Sequence, residues 1–435
     1  IFVSENEDEF HYVWKENIII QQKEEHLTEN AYPELTDHDK IDSLVPCQWI
    51  RDMISIHKLY QINKEDFKSN GLNKNYAIVT GVLQISSKIQ WGINSKGMRK
   101  YSFKPLFNTG EDYPMYIVAS KMTRQSKDVY VRVEITKWKE NEKHPQGMLI
   151  ETIGDIYDTK NYTNVLIHAF QLLPRDRNKI FRKSANSQNC QNDLETSNYH
   201  IDEDWVKADM TMSIDPEGCE DIDDALSIYH KEDKVEFAVH IATPTFYFDK
   251  DDKLTECAML QSTTVYTNEK IHHLLPDDIS TKKSSLKENE VRYCLSVIWD
   301  SSGESRVART KIKNKKNYSY EEVEELEDYK KLHNVISNIF KQDIPVDSHK
   351  LIEFAMIEAN KFIANYLVEN ISYKSILRKT IGNNAYYLPF SKEKSNNHVS
   401  LNAQLYTHFT SPIRRFADQM IHRTIFDILD KKEIE

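Results

Sequence analysis

Glycine is scarce in this chain: 10 of its 435 residues are Gly, against a usual share of about 7%. Each glycine is therefore a stronger turn signal than usual. No apolar run approaches the roughly 18 residues that a membrane-spanning helix needs, so we expect no membrane span. The chain starts at Ile1 without a signal-peptide pattern, and we take it to be an internal fragment or a processed chain.

Cysteine is also rare. The five cysteines are far apart and form no CxxC pair, which argues against a thiolate zinc site and favours a reducing compartment. They are Cys47, Cys190, Cys219, Cys257 and Cys294.

Composition indicates a soluble globular protein, with 39% apolar and 29% charged residues, and its length allows about two to four domains. The net charge of −11 at first argues against a nucleic-acid partner. However, residues 1–40 hold eleven acidic and three basic residues. Basic runs occur at Arg175–Lys183 and Arg306–Lys316. Such runs are usually solvated faces, but they remove net charge as an argument against RNA.

The pattern along the chain predicts several domains. Residues 1–70 are acidic and of uncertain fold, although residues 47–60 space their apolar side chains like one helix face. Residues 71–170 contain short β-branched and aromatic runs, which are typical of a small barrel or of another β-domain. Residues 171–204 are predicted to be a linker, and residues 205–435 a mixed α/β domain.

Within the last region the sequence predicts two strands, at Lys234–Ile241 and Tyr293–Trp299. It predicts helices at Tyr320–Leu332, Leu351–Glu369 and Asp418–Leu429. Residues 384–400 are polar, and we expect them to be irregular.

The strongest chemical feature is an acidic segment that runs from Asp215 to Asp224. Four acids fall within residues 220–224 and precede an apolar, strand-like run. Carboxylates this close repel one another, and a divalent cation such as Mg²⁺ would offset that repulsion. An exposed acidic loop is the usual alternative, but Pro216 and Gly218 predict a turn that brings both ends together. The spacing excludes an EF-hand.

The second feature is the segment Tyr406–Arg423, which contains two adjacent arginines. Pro412 is predicted to occupy the first turn of a helix that Thr410 or Ser411 caps. Such a helix start favours an anion, and the fork of a guanidinium group matches a phosphate. A capped helix with surface arginines is the alternative. Together with an acidic metal-binding loop, the segment indicates metal-assisted phosphodiester chemistry.

These segments resemble the RNB family of 3′→5′ exoribonucleases, which includes RNase II, RNase R and, as the most similar branch, the exosome nuclease Dis3. Residues 215–226 match the family pattern D-P-x-x-x-x-D-x-D-D-A-L, and residues 406–415 match Y-T-H-F-T-S-P-I-R-R. Between them, further family positions follow in order and spacing. They are Ser262–Tyr266, Leu274–Pro276, Ser285–Leu286 and Arg292.

Upstream, Trp138–Gly147 and Ile153–Asp155 resemble the end of a Dis3-type cold-shock domain. The resemblance therefore implies a multidomain α+β protein in which an OB-fold (cold-shock) barrel precedes a mixed α/β RNB catalytic domain. OB folds bind single strands through basic grooves and stacking aromatic side chains.

The chain departs from the family pattern in three places. Thr243 follows His240-Ile-Ala where the family usually has Asp, which concerns the wall of the active site. The stretch from residue 377 to residue 406 is shorter than in the family, so the RNB domain is expected to be incomplete there. No S1 domain is expected after Glu435.

The resemblance implies a role for each matched residue. The four aspartates should position Mg²⁺, with Mn²⁺ as the alternative, and Arg414 should hold the scissile phosphate. Tyr266 should stack on a nucleotide, although an ordinary buried tyrosine is the alternative. Arg292 is a candidate for a structural or RNA contact. The catalytic set is Asp215, Asp221, Asp223, Asp224 and Arg414; the RNA-binding set is Tyr266, Arg292, Ser411 and Arg415.

Two functions are consistent with the sequence. The first is a processive, Mg²⁺-dependent 3′→5′ exoribonuclease that releases nucleoside 5′-monophosphates from single-stranded RNA; the four aspartates favour it. The second is a catalytically impaired RNA-binding regulator or scaffold, which Thr243 and the short 377–406 segment keep open. The resemblance implies a cytoplasmic or nuclear protein, with exosome subunits as candidate partners.

Overall fold

The computed structural model describes residues 10–15, 18–23, 78–106, 115–185 and 200–432, apart from short gaps inside the last three ranges. The chain separates into two compact units, one of Ile1–Glu24 with Asp176–Glu435 and one of Glu25–Arg175. Of residues 1–70, only two short antiparallel strands are described, so the helix predicted at 47–60 lies outside the described residues. These strands are β1 (Phe10–Lys15) and β2 (Ile18–Lys23).

The unit Glu25–Arg175 contains a closed five-stranded barrel. The strands at Ile78–Leu83, Tyr116–Ser120 and Val129–Lys137 lie on the β-branched and aromatic runs of the 71–170 region. In Tyr116–Ser120 buried residues alternate with partly exposed ones, as in a half-buried strand. A short helix, α1 (Tyr162–Ala169), follows the barrel. The barrel strands are β3 (Ile78–Leu83), β4 (Arg99–Pro105), β5 (Tyr116–Ser120), β6 (Val129–Lys137) and β7 (Gln146–Asp155).

The barrel closes in the order β3-β4-β5-β7-β6. Its interior is filled by large side chains that include Phe103 and Tyr116, whose rings lie 5.5 Å apart. Strand β5 pairs with β7 in parallel, whereas the other neighbours are antiparallel. This arrangement is the OB-type barrel that the sequence predicted.

The second unit is built on a six-stranded sheet with the order β14-β13-β10-β9-β8-β15. Neighbouring strands are antiparallel except β8 and β15, which run parallel. Both strands predicted in this region are present. The strands are β8 (Met210–Asp215), β9 (Asp224–Lys231), β10 (Lys234–Ala242), β13 (Val291–Asp300), β14 (Ser305–Lys313) and β15 (Lys316–Ser319), with a hairpin of β11 (Val265–Tyr266) and β12 (Ile271–His272) between β10 and β13.

Long helices cover one face of this sheet. Phe237 and Val297 on the sheet belong to one buried apolar cluster with Leu332, Leu351 and Ile363 on the helices, and burial of this apolar surface stabilises the domain. The helices of the unit are α2 (Arg177–Ala185), α3 (Lys253–Gln261), α4 (Tyr320–Val323), α5 (Glu327–Phe340), α6 (Ser348–Ile371) and α7 (Phe416–Leu429), and a short π-helical segment spans Asp278–Ser284.

The helix predicted at Tyr320–Leu332 is divided in two, because α4 ends at Val323 and α5 begins at Glu327. Ser319 and Glu322 form a capping box that starts α4. In the break, the Glu324 carboxylate accepts a hydrogen bond of 2.8 Å from the Ser348 amide at the start of α6. The other two predicted helices are present within α6 and α7.

Part of the predicted 171–204 linker is helical, since α2 lies within it, and residues 186–199 lie outside the described residues. The expectation that residues 384–400 are irregular was wrong at the start of that segment. The 384–400 segment begins with a strand, because β16 (Ile376–Ile381) and β17 (Asn384–Pro389) form an antiparallel hairpin. In the part of the chain that the structure describes, no helix combines the length and apolarity needed to cross a bilayer.

Candidate active site

The acidic segment lies between two neighbouring strands of the large sheet. Asp215 ends β8 and Asp224 begins β9, and these strands are antiparallel neighbours. The intervening loop starts with a turn in which the Cys219 amide donates to the Pro216 carbonyl at 3.1 Å, and Gly218 adopts a φ of +78° that favours glycine. The turn predicted from Pro216 and Gly218 is therefore present.

A second segment holds the end of this loop in place. The Ile222 amide donates to the Ser285 hydroxyl, and the Leu286 amide donates to the Ile222 carbonyl, each at 3.1 Å. Through these contacts the Ser285–Leu286 pair orients the aspartates on either side of Ile222. The family resemblance had identified this pair but gave it no role.

Asp223 joins the two segments that the sequence analysis identified. Its carboxylate is almost fully buried, and its Oδ1 accepts a 2.8 Å hydrogen bond from the Ile413 amide. Its Oδ2 lies 3.3 Å from Nε of Arg414. A loop and a turn that are separated by 190 residues therefore form one site.

Burial makes the charged form of three aspartates unfavourable. It raises the pKa of Asp215 to about 6 and the pKa of Asp223 to about 7, and it raises the pKa of Asp224 well above the ordinary range. Arg414 partly opposes each increase, while Asp221 adds to those of Asp215 and Asp223. Arg414 therefore does not fully compensate the negative charge that these carboxylates carry when they are ionised.

The donor set fits a hard divalent cation. Carboxylate oxygens are the ligands that Mg²⁺ takes, and the buried Asp215 Oδ2 has no hydrogen-bond partner in the part of the chain that the structure describes. Among the described residues, no three His, Cys, Asp or Glu side chains meet closely enough to enclose an ion. This is compatible with Mg²⁺, which typically binds one or two carboxylates and completes its shell with water and substrate phosphates.

Asp221 lies nearer the surface than Asp223, with 10% of its side chain exposed. Its Oδ2 is 3.5 Å from the Tyr266 hydroxyl and 3.8 Å from His273 Nδ1. Tyr266 is 52% exposed, which contradicts the alternative of an ordinary buried tyrosine. Burial raises the pKa of the adjacent Cys219 to about 12, so its sulfur stays a thiol.

Arg414 presents its guanidinium group partly to solvent, with 48% of the side chain exposed. Its Nη2 donates to the Ser411 hydroxyl at 2.9 Å, and its carbonyl accepts hydrogen bonds from Thr263 and Thr264. Ser411 itself is buried. Its predicted place in the RNA-binding set is therefore supported only indirectly, because it contacts Arg414.

The expected helix start at Pro412 was wrong. Residues 411–415 form a tight turn, in which the Arg415 amide donates to the Ser411 carbonyl at 3.0 Å, and α7 begins only at Phe416. Buried Asp418 explains this, since its Oδ1 accepts hydrogen bonds from the Ser411 amide at 2.8 Å and from Arg415 Nη2 at 2.7 Å. The phosphate site expected at a helix N-terminus is therefore a turn held between two carboxylates, those of Asp223 and Asp418.

Arg292 is placed differently from the other predicted RNA-binding residues. Its Nε and Nη2 donate to the carbonyl groups of Ser285 and Lys282, and its Nη1 donates to Glu290 and to the Val291 carbonyl. Because each of the three nitrogens has a protein partner, the geometry supports the structural alternative for Arg292.

Thr243, the departure from the family pattern, is buried directly after β10. Its hydroxyl donates to the Tyr293 carbonyl at 2.8 Å. The threonine is therefore a satisfied part of the wall rather than an unpaired polar group.

Sequence reasoning missed three residues of the site. Asp418 was read only as the start of a helix, His273 was not considered, and Tyr320 was noted only as the first residue of a helix. Burial and the neighbouring charges of Asp224 and Asp215 raise the pKa of Tyr320 to about 12. The only signal for Asp418 was an acid four residues after Arg414, and none marked Tyr320 or His273.

The comparisons with known proteins agree with this architecture. The RNB domain model matches residues 204–339 and 369–431, and the model of the Dis3-like cold-shock domain 2 (CSD2) matches residues 111–171. The chain therefore contains an RNB domain and, before it, a Dis3-like cold-shock domain. The predicted resemblance and fold class are thereby confirmed.

Similar proteins include enzymes and a protein without nuclease activity. The human exosome complex exonuclease RRP44 is 22% identical over 94% of this chain and 54% of its own length; the chain spans about half the length of the curated relatives it matches. RNase R of Mycoplasma genitalium has a TM-score of 0.60 at 15% identity, over 81% of this chain and 68% of that one. Yeast Ssd1, described as a pseudonuclease, has a TM-score of 0.61 at 15% identity, over 84% and 56%.

The raised pKa of Asp223 predicts how its replacement changes stability with pH. A carboxyl whose pKa rises on folding stabilises the folded state below its ordinary value of 3.8, and this contribution is lost as the pH rises to about 7. In EDTA, Asp223→Asn should therefore become more stable relative to wild type across that window, by on the order of 1–3 kcal/mol at pH 8. Urea unfolding at several pH values measures this difference.

Glu220→Gln is the matched control, because Glu220 is an exposed acid in the same loop, and it should shift stability little at any pH. Buried histidines titrate in the opposite direction, but they are common to all three proteins and cancel in the comparison. A stability difference between Asp223→Asn and wild type that does not change with pH would contradict the assignment.

Proposed function

We propose that this chain is the catalytic part of a processive 3′→5′ exoribonuclease that hydrolyses single-stranded RNA to nucleoside 5′-monophosphates with Mg²⁺, or alternatively Mn²⁺. The observation that carries the proposal is the contact of Asp223 with Ile413 and Arg414. This contact supports the proposal because it joins an arginine suited to a phosphate to one aspartate of a segment whose carboxylates suit a divalent cation. The RNB domain, and the similarity of the chain to curated exonucleases, support the same reaction.

Each residue then has a defined task. A divalent ion bound by one or two carboxylates from the set Asp215, Asp221, Asp223 and Asp224, with water and phosphate oxygens completing its shell, would supply an activated water and stabilise the leaving 3′ oxygen. Arg414, whose Nη1 is free of the contacts that hold Nε and Nη2, holds the scissile phosphate and offsets charge in the transition state. Tyr266, exposed beside Asp221, stacks on a nucleotide near the 3′ end.

A catalytically impaired RNA-binding protein is the second candidate. The similarity in fold to Ssd1 and the presence of Thr243 in the wall of the site favour it. The four aspartates and their buried, coupled arrangement favour the enzyme. Exosome subunits are proposed as partners because the relatives named RRP44 are exosome exonucleases. The cytoplasm or the nucleus is the proposed location, since the cysteine pattern favours a reducing compartment.

Asp223→Asn should abolish hydrolysis while RNA affinity changes little. The amide can still accept the hydrogen bond from the Ile413 amide, but it removes one negative charge from the metal site. The test is a time course with 5′-labelled single-stranded RNA, with Mg²⁺ or with EDTA. The proposed function predicts a ladder that shortens from the 3′ end for wild type with Mg²⁺ and full-length RNA in the other lanes.

If the wild-type protein binds the RNA but leaves it intact with either Mg²⁺ or Mn²⁺, the second candidate replaces the first. If Asp223→Asn loses RNA affinity together with activity, the residue supports the fold rather than the chemistry.

Arg414→Lys should reduce turnover nearly as much as Arg414→Ala. Lysine keeps the charge but loses the planar fork that contacts Asp223, Ser411 and a phosphate at the same time. Removal of one aligned transition-state donor costs roughly 10²–10³ in rate, and we expect a loss of that order in single-turnover experiments.

Arg415→Lys is the matched comparison, because Asp418 already holds that guanidinium group. It should affect the salt dependence of RNA binding more than turnover. Near-normal turnover of Arg414→Lys would contradict the role of the planar fork and would mean that Arg414 contributes only its positive charge.

Tyr266→Ala should change the length of the final product more than the initial rate. Stacking contributes about 1–3 kcal/mol per base, which is enough to decide whether a short oligonucleotide stays bound. Denaturing gels that resolve single nucleotides measure the product length, and Tyr266→Phe, which keeps the ring, should preserve it. The same product length in all three proteins would show that Tyr266 does not stack on RNA.

A further inference from the structure

His273 and Asp221 face each other across a short gap. His273 Nδ1 lies 3.8 Å from Asp221 Oδ2, and this buried nitrogen has no hydrogen-bond partner among the described residues. The two side chains are 17% and 10% exposed. A buried ring nitrogen normally has a partner, so the one that faces Asp221 requires an explanation.

At 3.8 Å the two groups are within the range of an ion pair with a protonated imidazole, but the gap is too long for a hydrogen bond. A direct charged hydrogen bond would close to about 2.7–2.9 Å. A bridging water with hydrogen bonds of about 2.8 Å would have to join the two atoms at an angle of about 85°, which is too sharp. Two ligands about 2.1 Å from a shared ion are about 3.0 Å apart at a right angle and about 4.2 Å apart when opposite. The observed distance lies within that range.

The backbone of His273 is firmly held. Its carbonyl accepts hydrogen bonds from Arg177 Nη2 at 2.5 Å and from Gln261 Nε2 at 3.1 Å. The next amide, that of Leu274, donates to Thr264 Oγ1 at 3.0 Å. Gln261 and Leu274 are fully buried. The imidazole is therefore presented from a rigid backbone, as a metal ligand needs to be.

We propose that His273 Nδ1 and Asp221 Oδ2 are ligands of one divalent ion, and that this nitrogen donor makes the site select transition metals such as Mn²⁺ over Mg²⁺. Mg²⁺ takes oxygen ligands, whereas first-row transition metals also accept imidazole nitrogen. Water and substrate phosphate oxygens complete the shell. The inference rests on the proposed function for the identity of the site, and it decides between the two ions that this function leaves open.

Direct spectroscopy of bound Mn²⁺ tests the ligand without any assay of activity. Electron spin-echo experiments on the whole chain with substoichiometric Mn²⁺ should detect coupling to one imidazole ¹⁴N nucleus. The coupling should disappear in His273→Phe, which keeps a planar ring but has no nitrogen. It should persist in His272→Phe, because His273 is the histidine whose ring faces Asp221.

Affinity provides the second measurement. Loss of even an outer partner of a metal ligand costs about 10–100-fold in affinity, so His273→Phe should weaken Mn²⁺ binding at least tenfold. Mg²⁺ affinity, measured by competition with Mn²⁺, should change much less, and the preference for Mn²⁺ should shrink accordingly.

A wild-type Mn²⁺ complex without ¹⁴N coupling overturns the proposal by itself, so the test does not depend on the folding of His273→Phe. Absence of specific Mn²⁺ binding, or coupling that survives in His273→Phe, also overturns it. RNA degradation with Mg²⁺ but no nitrogen coupling would leave the proposed function standing without this inference. Nitrogen-coupled Mn²⁺ in a protein that leaves RNA intact would keep the ligand and contradict the proposed function.

Discussion

The buried carboxylate of Asp223 is the contact on which the site depends. It accepts a hydrogen bond from the Ile413 amide and faces Arg414, so the acidic loop and the arginine turn cannot move independently. Asp418 holds the same turn from its other side through the Ser411 amide and Arg415. Two carboxylates therefore hold residues 411–415, and the most exposed side chain of this turn is that of Arg414.

This arrangement has an energetic cost that the rest of the domain offsets. Burial raises the pKa of Asp215 and Asp223 and keeps negative charge unfavourable at the centre of the site. The apolar layer between the sheet and helices α5 and α6 supplies the compensating stability. Strain of this kind is typical of functional sites, where stability is lower than the fold would permit. A bound cation and a phosphate would relieve part of it.

Much of the architecture could be predicted from sequence, because the evidence was local. β-Branched and aromatic runs predicted the barrel strands, and the spacing of Asp215, Asp221, Asp223 and Asp224 predicted the acidic half of the site. The departures arose where distant groups compete for the same backbone. Pro412 has the appearance of a helix start, but Asp418 takes the Ser411 amide and Asp223 takes the Ile413 amide, so the turn closes before the helix begins. In the same way, Glu324 caps α6 and divides a predicted helix. No sequence pattern indicated a role for His273, because that role depends on Asp221, which is distant in sequence and lies nearby only in the folded chain.

The coupling between Asp223 and Arg414 tests the account most directly. A double-mutant cycle of Asp223→Asn and Arg414→Met, measured as free energies of unfolding in EDTA, isolates their interaction. Since Arg414 is about half exposed, solvent screening limits the expected coupling to about 0.5–1 kcal/mol at pH 8. It should vanish at pH 5, below the raised pKa of Asp223 of about 7. Additive effects of the two substitutions at pH 8 would mean that the acidic loop and the arginine turn do not form one electrostatic site. That result would contradict the role assigned to Asp223.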